Sequence, residues 1–354
     1  MTLVDSTAIA LLNQWQRGFP LVDEPFSMIG RALGMKTEQV LDHYCALKKS
    51  GALSRIGGVF APGAGGASTL AAMAVPMHRL EQVAAMVSAQ PGVNHNYERE
   101  HEINLWFVVT GPDMADVERQ LRRIEAASGI EVLRLPMVRA FRIDTAFDLR
   151  GDTHSQQRAG RTHVVATPVT PDDQPLAALV EHGIDLHERP YDLWARQLGC
   201  TASELHARLA RWLDQGSLSR FGVVVRHHEV GFCANAMAVF CVPQGMLDAC
   251  GDALAHFPGV TLVYQRATAE RWPFNLYCMV HGRDRFNVLE TLSSAARHAR
   301  LDSHASRILF SRTRFKQTGA RRFATPMQVP HSSTNMPTET THGEPTCSPL
   351  KTPC

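Results

Sequence analysis

Apolar positions along this chain switch repeatedly between the 3.6-residue spacing of a helix and the two-residue spacing of a strand. Residues 7–16, 25–33 and 37–50 read as three short helices. Pro25 opens the second at its first turn, Thr37 is an N-cap for the third, and Gly51 stops it. A strand over residues 52–60 completes a winged helix-turn-helix pattern, and Pro62-Gly63-Ala64-Gly65-Gly66 then breaks the chain. The next elements read strand (69–75), helix (78–88), strand (93–97), strand (103–110), helix (113–127), strand (130–135). That βαββαβ order is ferredoxin-like. Residues 138–143 are expected to add an edge strand.

The whole plan then recurs. Pro25-Phe26 returns as Pro190-Tyr191, Leu33-Gly34 as Leu198-Gly199, and Gly51-Ala-Leu-Ser-Arg-Ile-Gly as Gly216-Ser-Leu-Ser-Arg-Phe-Gly, all at one separation. Pro91-Gly-Val and Asn104-Leu-Trp come back as Pro258-Gly-Val and Asn275-Leu-Tyr. The fold class is therefore α+β, a tandem duplication of a winged helix-turn-helix plus a ferredoxin-like domain about a pseudo-twofold, with the two sheets packed as in a homodimer. The expected units are 1–62 and 67–149, a linker over 150–173, then 174–228 and 232–323. A disordered tail is expected over 324–354, where apolar residues are few.

Composition narrows the function classes. A chain of 354 residues, 44% hydrophobic and 20% charged, builds an ample core. A net charge of +2 gives no global field for nucleic acid or an anionic membrane. No apolar run approaches the ~20 residues needed to span a bilayer. The amino terminus lacks the basic cluster and long apolar run of a secretory signal, so a cytoplasmic location is expected. The eight cysteines include no Cys-x-x-Cys pair and read as reduced core residues. His227-His228 and His187 read as structural, since adjacent strand residues point to opposite faces; no metal site is expected.

Candidate chemistry concentrates between His95 and Phe107, in His-Asn-Tyr-Glu-Arg-Glu-His-Glu-Ile-Asn-Leu-Trp-Phe. His95 and His101 can carry protons near neutral pH, Arg99 and Asn104 can hold a carboxylate, and Tyr97 and Trp106 can cover a flat ring. In the second copy Tyr264, Arg266 and Asn275 match Tyr97, Arg99 and Asn104, but Leu262 stands at the place of His95 and the insertion around His101 carries no histidine. That asymmetry places one principal site in the first half. Basic residues gather at the end of each half, Arg134, Arg139 and Arg142 in the first and Arg307, Arg312, Arg314, Lys316, Arg321 and Arg322 in the second. Such a group can hold a polyanion.

The layout resembles the feast/famine regulators of the leucine-responsive and asparagine-operon type. The run His95-Asn-Tyr-Glu-Arg-Glu-His101, with Asn104-Leu-Trp-Phe and the closing Thr318-Gly-Ala-Arg-Arg-Phe323, looks more like the siroheme decarboxylases, including the fused two-subunit form of the d1-type heme pathway. The resemblance implies oxygen-independent loss of the acetate carboxyls on rings C and D of siroheme. It implies His95 and His101 as a catalytic pair. Tyr97, Arg99, Asn104, Trp106, Arg139, Tyr264, Arg266 and Arg314 are the expected substrate contacts. Siroheme is then the substrate and no separate cofactor is expected; the chain is an internal pseudo-dimer, open to further self-association. Two rivals remain, a DNA-binding regulator and a tetrapyrrole sensor. Glu38 and Asp42 offset Lys48 and Lys49 in the third helix, and Glu204 and Asp214 offset Arg208 and Arg211 in its counterpart, which argues against tight DNA binding.

Overall fold

The computed structural model describes residues 5–143, 146, 149 and 166–323. The expected linker and tail therefore fall largely outside the described residues. Each half opens with three helices and a strand: α1 (Ser6–Gln14), α2 (Pro25–Leu33), α3 (Thr37–Lys49) and β1 (Leu53–Phe60) in the first, α6 (Gln174–His182), α7 (Pro190–Leu198), α8 (Ala202–Asp214) and β7 (Leu218–Val225) in the second. Local chemistry sets their ends. Pro25 and Pro190 start α2 and α7, and Gly34 and Gly199 close them in the left-handed region. Thr201 and Glu204 form a reciprocal cap on α8.

The two winged units are one body. β1 and β7 form an antiparallel ribbon in which Gly57 faces Gly222. A side chain at either glycine would collide with main chain of the other half, Val180 O at 2.7 Å from a Cβ on Gly57 and Trp15 O at 2.3 Å from one on Gly222. Phe26, Tyr44, Leu176, Tyr191 and Phe221 share one apolar core beneath the ribbon.

The remaining elements build a sandwich: β2 (Ala67–Met73), α4 (Leu80–Ala89), β3 (Val93–Arg99), β4 (Leu105–Gly111), α5 (Met114–Ser128), β5 (Leu133–Leu135) and β6 (Met137–Ile143), then β8 (Ala234–Phe240), α9 (Leu247–His256), β9 (Val260–Arg266), β10 (Leu276–Gly282), α10 (Arg285–His298) and β11 (Ser306–Gln317). The strand order is β5-β2-β4-β3-β11-β8-β10-β9-β6. Since β5 and β6 are consecutive, the two ends of that order meet and the strands close into a ring flattened into two sheets. Each sheet carries its own helices outside, α4 and α5 over Leu105, Phe107 and Val109, α9 and α10 over Leu276, Cys278 and Val280. Between the sheets lie Leu70, Trp106, Val239, Trp272, Tyr277 and Leu309. Both faces of β4 are thus covered, which explains its unbroken apolar run.

One expectation changes. Residues 137–143 do not edge their own unit but pair with β9 of the second half, Ala140 opposite Tyr264. Reciprocally, β11 pairs with β8 over Ser306–Phe310 and then with β3 of the first half over Ser311–Gln317. The halves exchange their last strands, which hides every strand edge that a separate unit would leave bare.

Asn104 sits where β4 begins and is 6% exposed. Its Oδ1 accepts from Val75 N at 2.9 Å and its Nδ2 donates to Val75 O at 2.8 Å. Asn275 clamps Val242 in the same way at 2.9 and 2.8 Å. Asn104→Ala leaves a buried donor and a buried acceptor unpaired and is expected to cost about 2–4 kcal/mol of unfolding free energy. Urea unfolding reads this directly; an unchanged midpoint would show that water replaces the clamp.

Candidate active site

Beyond a bulge between Val93 and His95, β3 presents His95, Tyr97 and Arg99 to the space between the sheets and Asn96 to the helices, while Val93 before the bulge packs on the helix side. Asn96 donates to Ala84 O and Ser88 Oγ of α4, each at 3.0 Å. On the opposite face the rings of His95 and Tyr97 stack with centroids 6.3 Å apart, and the Arg99 guanidinium lies 5.9 Å from the Tyr97 ring. Arg99 donates from Nη1 to Leu309 O at 2.9 Å while its buried Nε has no hydrogen-bond partner among the described residues. Burial lifts the Tyr97 hydroxyl above its usual range, against the pull of Arg99 and Arg314.

His95 lies at the end of β3 nearest the winged units, with Nδ1 2.6 Å from Asn94 Oδ1. Burial first, and the Arg55 guanidinium second, hold its imidazole down at about 4. Arg55 comes from β1, and it lines a cleft of about 220 Å³ with Ser54, Glu181, His182, Arg226 and Arg321. The segment after β11 closes one wall. Thr318 N donates to Asn94 O at 2.7 Å, and Gly319 passes so close that an added Cβ would lie 2.7 Å from Arg55 Nη1. Further along, Arg322 N and Phe323 N donate to Glu181 Oε2 at 2.8 and 3.2 Å. Arg322 also acts on Tyr264, whose hydroxyl burial pushes up to about 12. The His95 end of the first half is thus completed by residues of the second.

The two candidate histidines do not form a pair. Four residue steps separate His95 from Arg99, about 13 Å of extended chain, and His101 lies beyond that far end. Its Nδ1 accepts from Ile103 N at 3.0 Å, and its ring stands edge-on to Trp272 at 5.3 Å. Burial and Arg307 hold its imidazole below its usual range, partly offset by Glu102.

Several expected contacts are engaged elsewhere. Asn104 is the clamp just described. Trp106 is 2% exposed between the sheets, donating from Nε1 to Ile103 O at 2.7 Å. Arg139 pairs with Asp248 at 2.6 Å and covers Phe141 on the α9 side. Arg314 pairs with Glu229. Arg266 donates to Leu135 O at 2.8 Å and lies 5.1 Å from the Tyr264 ring, as Arg99 does with Tyr97. Of the basic group, Arg134 is held by Glu118 and Glu125, each at 2.9 Å, and only Arg321 lines the cleft.

The sequence reading passed over Arg55, Glu181 and Arg226. Arg55 was visible in the repeated Ser-Arg-x-Gly motif, whose second copy carries Arg220. It also passed over His281 on β10, which takes the position held by Thr110 on β4. His281 Nδ1 lies 3.1 Å from Thr261 Oγ1, and burial, then Arg99, hold it down at about 4. The second half therefore does contain an inward histidine, displaced one strand from the place of Leu262. Among the described residues no group of three or more His, Cys, Asp or Glu side chains is placed to hold a metal. No helix among them is long and apolar enough to cross a membrane.

A duplicated winged helix-turn-helix joined to paired ferredoxin-like sheets, with a half-buried histidine close to an arginine-lined cleft, defines a protein of the AsnC-like ligand-binding architecture. Residues 64–142 and 229–316 match the AsnC-like ligand binding domain, and residues 9–53 match the siroheme decarboxylase NirDL-like HTH domain. The chain is 40% identical over 319 residues to the siroheme decarboxylase NirDL subunit of Paracoccus pantotrophus, covering 90% of this chain and 97% of that one. Two crystal structures of the siroheme decarboxylase NirDL, one in complex with an iron-uroporphyrin III analogue, superpose with TM-scores of 0.64 and 0.62 at 29% identity, covering 90% of this chain and 94% of theirs. The chain belongs to the siroheme decarboxylase NirDL family.

Proposed function

We propose that this protein is a carboxy-lyase that removes the two acetate carboxyls on rings C and D of siroheme, giving 12,18-didecarboxysiroheme and carbon dioxide. Each step turns one acetate carboxylate and one proton into a methyl group and carbon dioxide, so no oxidant, reductant or separate cofactor is required. The electron pair left by the departing carbon dioxide passes into the conjugated macrocycle, and a positioned acid returns a proton. His95 is that acid in this reading. The observation that carries it is a half-buried imidazole that stacks on Tyr97 and lies under the field of Arg55, an arginine that lines a cleft together with Arg226 and Arg321.

An imidazole held at about 4 is neutral at neutral pH. The substrate supplies the remedy, since carboxylates brought against Arg55 oppose the charge that depresses His95 and let it take up a proton as the complex forms. The cleft, at about 220 Å³, is smaller than the ~300–1,000 Å³ typical of ligand pockets. It suits the carboxylate-bearing edge of a tetrapyrrole. Tyr97 and Arg99 on β3, and Tyr264 and Arg266 on β9, are proposed as supporting groups.

Anaerobic incubation of the purified protein with siroheme, followed by mass spectrometry of the extracted tetrapyrrole, is expected to show loss of two carboxyl groups. Siroheme that binds and returns unchanged would instead support the sensor reading.

A further inference from the structure

We propose that Asn94 sets the tautomer of His95: its side-chain oxygen holds the ring proton on Nδ1, which leaves Nε2 as the nitrogen that takes up a proton and hands it to the substrate. Asn94 is here a positioning residue that acts through His95, and the inference rests on His95 being the acid of the reaction.

Asn94 is 4% exposed, so the polar atoms of its side chain need partners from the protein. The side chain reaches His95 Nδ1 at 2.6 Å and Thr110 Oγ1 at 3.5 Å. Which end of the amide is the oxygen follows from those partners. The Thr110 hydroxyl has a single proton, and its nearest acceptor is Gly92 O at 3.1 Å. Arg321 N donates to the same hydroxyl oxygen at 3.4 Å. Thr110 therefore turns lone-pair density towards Asn94, which calls for Nδ2 on that side and Oδ1 towards the histidine. The shorter contact agrees, since 2.6 Å suits nitrogen against oxygen and is too close for nitrogen against nitrogen. An amide oxygen only accepts, so His95 Nδ1 carries the proton.

With Nδ1 committed, Nε2 holds the lone pair of the neutral ring. Among the described residues no hydrogen bond engages Nε2. Proton uptake and proton donation then occur at one nitrogen, without the ring turning over. The proton leaves Nε2 as the carbon–carbon bond to the departing carbon dioxide breaks, and the ring returns to its neutral form with Nδ1 still on Asn94. The opposite tautomer would set the bare Nδ1 against the Asn94 oxygen, lone pair against lone pair. Around the ring β1 brings Arg55, β3 Tyr97, β4 Val108 and β11 Gln317, so Arg55 is the charge among the described residues that acts on it.

The second half of the chain holds this arrangement in place. Thr318 N donates to Asn94 O at 2.7 Å, and Arg321 brackets Thr110 Oγ1 with its own N and O, each at 3.4 Å. In the repeat, Thr261 and Leu262 stand at the places of Asn94 and His95. The amide and the histidine are replaced together.

The test combines nitrogen NMR of the histidine rings with the pH profile of siroheme turnover, in the full-length wild type, Asn94→Ala and Asn94→Asp; His95→Gln identifies the His95 signals by their loss. The wild type is expected to carry its ring proton on Nδ1 at neutral pH. Asn94→Ala removes the acceptor. It is expected to move the proton towards Nε2, to lower kcat about 10- to 100-fold, the worth of a hydrogen bond to a charged group, and to leave the Kd for siroheme unchanged. Without the acceptor the imidazolium is less favoured, so the alkaline limb of kcat moves to lower pH. Asn94→Asp keeps an acceptor and adds a charge that favours the imidazolium, so the proton stays on Nδ1 and the limb moves to higher pH. A purely structural Asn94 would not move the two limbs in opposite directions. A wild-type proton on Nε2, or an Asn94→Ala protein that keeps both the Nδ1 proton and the wild-type limb, overturns the proposal. Should Asn94→Ala fail to fold, the wild-type spectrum and Asn94→Asp decide, an unmoved limb rejecting it. Failure of the underlying site reading looks different: His95→Gln would then turn over siroheme at the wild-type rate, whichever nitrogen carries the proton.

Discussion

Replacing His95 by alanine is expected to cut siroheme turnover by about 100- to 10,000-fold, the usual contribution of a positioned acid, while the tetrapyrrole still binds. The same change at His101 is expected to leave turnover near the wild-type value. The contrast follows from placement. His95 lies in the field of Arg55 beside the cleft, whereas His101 packs against Trp272 past the other end of β3. Removing His95 also removes its hydrogen bond to Asn94 and its stacking on Tyr97, so a modest fall in thermal stability is expected to accompany a far larger loss of activity. Single-turnover assays under anaerobic conditions separate binding from chemistry. Loss of turnover in His101→Ala with an active His95→Ala would move the reaction to the Trp272 end.

Stability is expected to fall steeply as pH drops from about 6.5 to about 4. His95 and His281 are both held at about 4 in the folded protein, chiefly by burial and then by Arg55 and Arg99 respectively. An unfolded histidine titrates near 6.5, so between these values the unfolded chain binds more protons and acidification favours it. The stability is fully present above about 6.5. Each histidine accounts for up to about 3 kcal/mol across the window. The carboxylates lowered by arginine, such as Glu118 and Glu125, weaken the fold only at still lower pH. Urea unfolding at pH 7.5 and 5 measures the slope, and the double variant His95→Gln, His281→Gln is expected to flatten it. A slope that survives the double variant would assign the acid sensitivity to other groups.

Much of the site was legible along the chain. The two-residue period of a strand puts His95, Tyr97 and Arg99 on one face whatever the strand packs against. The duplication exposed His95 as the member without a counterpart. The same comparison carried a warning at Asn104: Asn275 repeats it, and a group kept in both copies proved to be a main-chain clamp in both. Trp106 stands in an apolar run for the same reason that its neighbours do, as core between two sheets.

The sequence by itself determined the helices, the order of elements along the chain, the twofold plan and the face on which the candidate residues lie, because all of these follow from local periodicity and from internal repetition. The tertiary structure decided the exchange of β6 and of the second part of β11 between the halves, since open strand edges pair with whatever register buries them, however distant in sequence. It separated His95 from His101 by the length of a strand. It brought Arg55, Glu181 and the Thr318–Phe323 segment together from three separate regions of the chain around His95. No local pattern marks such residues, because a charge is tolerated in the interior only through partners that the folded chain delivers.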